Sequence, residues 1–158
     1  MANNNKNEDG YDSKLLDLAR VTRVTSGGRR FHFRATMVIG DKSGKVGVGV
    51  DQGKDVAQAI DKATNRAEKN MIKIPLVEGT IPHKVKAKYG AAEIMLKPQT
   101  KGRGLVAGGA IRTISNLGGI QDISSKILGN TRNKLNIARA AIKGLEKLHT
   151  PKEVSTSE

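Results

Sequence analysis

Arg30-Phe31-His32-Phe33-Arg34-Ala35-Thr36-Met37-Val38-Ile39-Gly40 alternates without a break, and its reading decides the fold. Phe31, Phe33, Ala35, Met37 and Ile39 fall on one side of an extended chain and Arg30, His32, Arg34, Thr36 and Val38 on the other. That is the period of a half-buried strand. Gly40-Asp41-Lys42-Ser43-Gly44 supplies turn chemistry, and Lys45–Val50 resumes the alternation with Val46, Val48 and Val50 opposite Gly47 and Gly49, so the two segments predict a hairpin. A preceding strand over about Ala19–Thr25 completes a small sheet. From Val56 the spacing turns helical, with Val56, Ile60, Ala63, Ala67 and Met71 recurring every three or four residues as the inward stripe.

Beyond Met71 the pattern starts again. Pro75, Gly79 and Pro82 mark Met71–Pro82 as a connector with at most short strands. Lys84, Lys86 and Lys88 alternate with Val85, Ala87 and Tyr89 as a strand with a lysine face; Gly90 bends the chain, and Ala92, Ile94 and Leu96 begin another strand. A basic glycine loop, Pro98–Gly104, leads to Gly108-Gly109, which opens a helix with Ala110, Ile111, Ile114 and Leu117 inward and Gly118-Gly119 as its stop. A strand over about Gln121–Leu128, a loop over Gly129–Asn133 and a helix with Leu135, Ala138, Ile142 and Leu145 inward complete the chain. The expected class is α+β, with domains over 15–72 and 73–148 between a flexible leader (1–14) and a short polar tail (149–158).

The 158 residues carry 28 Lys and Arg against 15 Asp and Glu, a formal charge of +13. Net charge speaks of partners and not of fold, and this excess points to a polyanion, nucleic acid before membrane. The Asn-rich, acidic start is unlike a secretory signal, and no apolar run approaches the roughly 18 residues of a spanning helix, so a cytoplasmic location is expected. With no cysteine there is no disulfide, thiolate metal site or Cys nucleophile, and zinc-bound nucleic-acid readers are excluded. An aromatic fraction of 3% argues against a platform that stacks single-stranded bases. Arg20–Lys54 holds Arg20, Arg23, Arg29, Arg30, Arg34, Lys42, Lys45 and Lys54 against Asp41 and Asp51 alone. A second basic block runs from Thr80 to the end, with fourteen bases against five acids, and the stretch between the two is neutral.

The glycine loops are tested first as nucleotide sites. Gly40–Lys45 is one residue short of a P-loop and lacks its Ser/Thr. Gly102–Ala107 fits G-x-G-x-x-A, with Asp122 where a ribose-binding acid belongs, so a small basic nucleotide-binding enzyme built on that loop is the alternative function. Against it, the chain has no room for the further βα units of a dinucleotide fold. His32, His83 and His149 stand isolated in sequence, no paired-carboxylate pattern exists, and no catalytic residue, metal site or cofactor is expected. Thr25–Arg30 reads instead as a short exposed loop. Its glycines admit a phosphate close to the backbone while Arg29 and Arg30 fork onto it, with Arg34, Lys42 and Lys45 adding charge for shape-based recognition of structured RNA.

Two long motifs carry a resemblance. Gly28 through Gly49, and Pro98 through Arg112 ending Ala107-Gly108-Gly109-Ala110-Ile111-Arg112, resemble the bacterial small-subunit ribosomal protein S-five family over about Arg20–Leu148. The resemblance implies a double-stranded-RNA-binding-like first domain, a βαβ-type second domain and no enzymatic activity. The implied partners are small-subunit rRNA, ribosomal proteins S-four and S-eight, and mRNA at its entrance channel, with no membrane and no homo-oligomer. It further implies a role in decoding accuracy, and a glycine loop beside the spectinomycin site corresponding to Ser26-Gly27-Gly28-Arg29. The rRNA-binding residues so expected are Arg20, Arg23, Ser26, Gly27, Gly28, Arg29, Arg30, Arg34, Lys42, Lys45, Lys54, Lys84, Lys86 and Lys88; Lys101, Arg103 and Arg112 are expected at a protein contact. The chain departs from the family pattern at Ser26, Asp51-Gln52 and Ala57, and lacks the Asn-Pro helix start near Gly129–Asn136.

Overall fold

The computed structural model describes residues 10–150 and the backbone of Asn5–Lys6. In chain order the elements are β1 (Asn5–Lys6), β2 (Asp12–Thr25), β3 (Gly28–Gly40), β4 (Lys45–Gly53), α1 (Val56–Lys69), β5 (Ile72–Lys73), β6 (Val85–Tyr89), β7 (Ala92–Pro98), β8 (Leu105–Val106), α2 (Gly109–Leu117), β9 (Ile123–Ile127) and α3 (Lys134–Glu146). The first sheet is antiparallel in the order β1-β2-β3-β4-β5, three long strands with a two-residue strand at each edge. The second has the order β6-β7-β9-β8, and its β8 and β9 are parallel neighbours joined through α2, the expected βαβ unit.

β2 starts earlier than its alternation indicated. Asp12, Ser13 and Lys14 pair with Gly40, Ile39 and Val38, so the leader expected over 1–14 gives its last three residues, as well as Asn5–Lys6, to the sheet, with Asp12 and Ser13 buried. The part of that expectation on residues 1–4 and 7–9, and the tail over 151–158, lie outside the described residues. A bulge at Leu16 explains why the strand was hard to read. Leu15 stands opposite Met37 and Leu18 opposite Ala35, so two residues three apart share one face, while Leu16 packs into the core on the other.

The decisive strand is not half-buried. From Ala35 to Gly40 both faces are covered, and Thr36 and Val38, expected outward, are 1% and 0% exposed. α1 covers Ala35 and Met37, whereas Val38 and Val46 join a core shared with Ile74, Ile81, Ile111, Leu117 and Ile120 of the second half. The two expected domains therefore own separate sheets but not separate cores.

α1 meets the first sheet almost backbone to backbone. Its buried line is Ala59, Ala63 and Ala67, with Val56, Ile60 and Met71 only half-buried, a rotation of the stripe read from sequence. A Cβ placed on Gly47 would lie 2.4 Å from the Ala67 carbonyl oxygen, one on Gly49 2.2 Å from that of Ala63, and one on Gly53 2.6 Å from the Ala59 nitrogen. Small residues on both elements permit the approach, so the glycines of β4 are its contact face with the helix. The helix start is fixed by Asp55, whose carboxylate accepts from Gln58 N at 2.7 Å, while Gln58 Oε1 accepts from Lys54 N at 2.9 Å.

The two halves are fastened where the β3–β4 turn meets the end of α2. Lys42 N donates to Leu117 O at 2.9 Å, Lys42 Nζ reaches Asp12 Oδ2 at 3.0 Å, and a Cβ on Gly40 would lie 2.1 Å from Leu117 O. Gly119 sits at φ +82°, with Lys42 O 2.3 Å from where its Cβ would be. Gly119→Ala combines left-handed strain with a backbone clash and is expected to lower stability by about 2 to 3 kcal/mol, read as a fall in the urea midpoint.

Candidate nucleic-acid interface

β4 leaves the first sheet at the pair Phe33–Gly53, but β2 and β3 continue beyond it. The five pairs from Val21–His32 to Thr25–Gly28 form a two-stranded arm, about 16 Å long at roughly 3.3 Å per residue. Ser26 and Gly27 alone form its turn, with Gly28 at φ +139° and Thr25 Oγ1 donating to Gly28 O at 3.1 Å. The loop expected over Thr25–Arg30 is thus corrected. Arg29 and Arg30 are strand residues facing opposite sides of the arm, because a two-residue glycine turn lets the pairing run to the tip.

From Leu18 to Gly40 there is no acidic residue, and no arginine of the arm has an ion-pair partner among the described residues. Register fixes the distribution. Arg23 stands directly opposite Arg30, with His32 and Arg34 further along the same face, and Arg29 and Arg20 lie on the reverse. Like charges in directly opposed positions destabilise a ladder, by a few tenths of a kcal/mol or more. The Arg20 guanidinium carbon lies 3.9 Å from the centroid of the Phe31 ring, a cation–π contact within the arm. Arg34 Nε is buried without a partner, and Val24 near the tip is 78% exposed. Lys54 joins this group at the root of the arm, one residue beyond the Phe33–Gly53 pair.

The remaining predicted residues lie elsewhere. Lys42 and Lys45 are at the opposite end of β3 and β4, about 25 Å from Arg34 along the strand, and Lys42 is engaged by Asp12. Lys86 and Lys88 project from β6 on the second sheet, with exposed Lys84 just before it. Sequence reasoning missed Lys97 and Lys126, which the ladders place on the same side: Lys86, Met95 and Lys126 form one rung, Lys88 faces Glu93, and Lys97 faces Ser124. Outward alternation beside Ala92, Ile94 and Leu96 was the available signal. Lys101 and Arg103 are exposed in the turn between β7 and β8, and Arg112 is exposed on α2.

The Gly102–Ala107 loop does not make a nucleotide site. Asp122 is 5% exposed, and its carboxylate accepts from Gly104 N at 2.7 Å, so the acid expected at a ribose pins the loop to its own fold. Leu105-Val106 is already a strand before α2 begins. His83 and His149, isolated in sequence, meet in space: His149 N donates to His83 Nε2 at 3.1 Å, because the chain leaving α3 returns to the start of β6.

Residues 11–75 match the family described as "Ribosomal protein S5, N-terminal domain", and residues 87–158 match "Ribosomal protein S5, C-terminal domain". The chain belongs to the ribosomal protein S5 family. It is 43% identical over 150 residues to "Small ribosomal subunit protein uS5" of Lawsonia intracellularis, covering 95% of this chain and 91% of that one. To the protein of the same name from Thermotoga neapolitana it is 42% identical over 145 residues, covering 92% and 81%. The first matched segment begins one residue before β2, and the gap between the two, residues 76–86, runs through the connector into the first two residues of β6.

Proposed function

We propose that the arginine arm, with Lys54 at its root, is the main rRNA contact of this chain. The chain is a structural, non-enzymatic component of the small ribosomal subunit, in the cytoplasm, and part of its ribonucleoprotein. What supports the arm as the contact is the Arg23–Arg30 pair: two guanidinium groups held opposite each other with no carboxylate in reach are relieved by an external polyanion. Backbone and phosphate recognition suits a surface with charge on both faces whose one phenyl ring, Phe31, lies under the Arg20 guanidinium. On this reading the Ser26-Gly27-Gly28 tip approaches RNA most closely, and the subunit placement carries the contributions to decoding accuracy and mRNA entrance. Binding of the purified chain to small-subunit rRNA, followed as salt is raised, tests it. A log–log slope of magnitude at least about 4 is expected, and a nearly salt-independent affinity rejects it.

Ribosomal proteins S-four and S-eight are the proposed protein neighbours, with Lys101, Arg103 and Arg112 on the side facing S-four. Rim charges chiefly set register and association rate. Arg103→Glu is therefore expected to change miscoding in reconstituted ribosomes with rRNA affinity unaltered. Weaker RNA binding with a shallower salt slope would reassign Arg103 to a phosphate.

A further inference from the structure

Arg139, Ile142, Lys143 and Glu146 recur every three or four residues along α3 and so share one side of it. Across the seam between the two halves stand Val48 of β4 and Met71 and Ile72 at the entry to β5, and the space between is a cavity of about 460 Å³ with Tyr89 of β6 also in its wall. Its volume falls within the roughly 300 to 1,000 Å³ of small-molecule sites, which favour the joints between domains. Val48, Met71, Ile72 and Ile142, all half-buried, give it an apolar lining, while Arg139, Lys143 and Glu146 are exposed. Arg139 Nη1 donates to Tyr89 Oη at 2.8 Å. The Arg139 guanidinium carbon and Lys143 Nζ lie 5.4 and 5.5 Å from the centroid of the Tyr89 ring, so one aromatic side chain positions both cations. Among the described residues neither cation has an ion-pair partner, and Glu146 has none either.

We propose that this cavity binds a small amphipathic monocarboxylate, with its apolar body against Val48, Met71, Ile72 and Ile142 and its carboxylate between Arg139 and Lys143. The lining calls for a hydrocarbon body, since a wholly polar ligand would leave that surface against water. Two cations and one carboxylate leave a single positive charge, which one negative charge balances; a second would stand against Glu146. The guanidinium keeps N–H donors beyond the one given to Tyr89, and these suit the planar, two-oxygen acceptor of a carboxylate. A nucleic acid, by contrast, would bring a row of phosphates past Glu146 and nothing to cover the apolar lining. The site is also remote from the arm: Val48 pairs with Val38, nine residues along β3 from Arg29 and about 30 Å away along the strand. Because both halves line the cavity, an occupant ties the first sheet to α3 and stabilises the joint by mass action.

The test uses the full chain carrying Tyr11→Phe, which leaves Tyr89 as its one tyrosine in a sequence without tryptophan. Octanoate is the probe, with octanol as its uncharged and suberate as its doubly charged counterpart. Octanoate is expected to change Tyr89 fluorescence saturably, with a Kd on the order of 1 mM for a ligand of its size. At about ten times that concentration it should raise the melting temperature by roughly 3 to 6 °C. Arg139→Gln/Lys143→Gln, two changes at exposed positions that keep the fold, is expected to weaken octanoate by at least about tenfold and leave the response to octanol unaltered. Glu146→Gln is expected to admit suberate, which the unaltered chain binds more weakly than octanoate. The absence of a saturable response to octanoate below about 10 mM overturns the proposal, as does equal octanoate affinity in the glutamine variant. Displacement of octanoate by a short RNA duplex also overturns it, and would assign the cavity to nucleic acid.

Discussion

Gly49→Ala is expected to lower stability by about 3 kcal/mol or more, beyond the ordinary effect of one methyl group in a core. The added carbon would lie 2.2 Å from the Ala63 oxygen and 2.3 Å from the Ala67 nitrogen. Both obstacles are backbone atoms of α1, which no rotamer change moves, so the helix must lift from the sheet along its alanine line. For a chain of 158 residues the corresponding fall in melting temperature is roughly 10 °C. Two comparisons sharpen the measurement. Ala63→Gly in the same chain should not rescue it, since the clash is with main chain. Gly27→Ala at the arm turn, where nothing lies within 4 Å, should change stability by no more than about 0.5 kcal/mol. A small effect at Gly49 would show that α1 sits further from β4 than these distances allow.

The second large effect is on RNA binding. Arg23→Ala/Arg29→Ala/Arg30→Ala should leave the melting temperature unchanged or slightly raised, because it removes an unfavourable cross-strand pair from an exposed arm. The same variant should bind small-subunit rRNA at least tenfold more weakly, with a salt slope shallower by about 2 to 3, one step of roughly 0.7 to 0.9 for each phosphate no longer neutralised. Retained affinity with an unchanged slope would remove the arm from the interface.

Period and residue type made much of this readable. The β3–β4 hairpin, the lysine alternation of β6 and the Gly108–Gly119 helix were found from spacing, because each obeys one local rule over many residues. The failures have physical causes. Thr36 and Val38 looked solvent-facing because a period of two says which residues share a side and nothing of what covers it; the second half covers it here. Leu16 broke the alternation of β2, and a bulge is invisible to a rule that counts in twos. Spacing alone put Val56 and Ile60 in the inward stripe beside Ala63 and Ala67 and left out Ala59, whereas a helix against a glycine strand buries its smallest residues. The site was legible as composition, an acid-free run from Leu18 to Gly40, but not as shape. That Arg29 and Arg30 lie on an extended arm and face opposite ways follows from register, and the membership of Lys97 and Lys126 with Lys86 required the order of strands in a sheet.

The core common to both sheets has a consequence during synthesis. Val38 and Val46 leave the ribosome well before Ile111 and Leu117, the residues that later cover them, have been translated. At roughly 5 to 20 residues per second the interval is on the order of several seconds, during which the nascent first sheet, helix already in place, presents an apolar side to the cytosol. Truncation after α1 would make that temporary condition permanent, so a fragment ending near residue 72 should aggregate at micromolar concentration where the whole chain stays in solution.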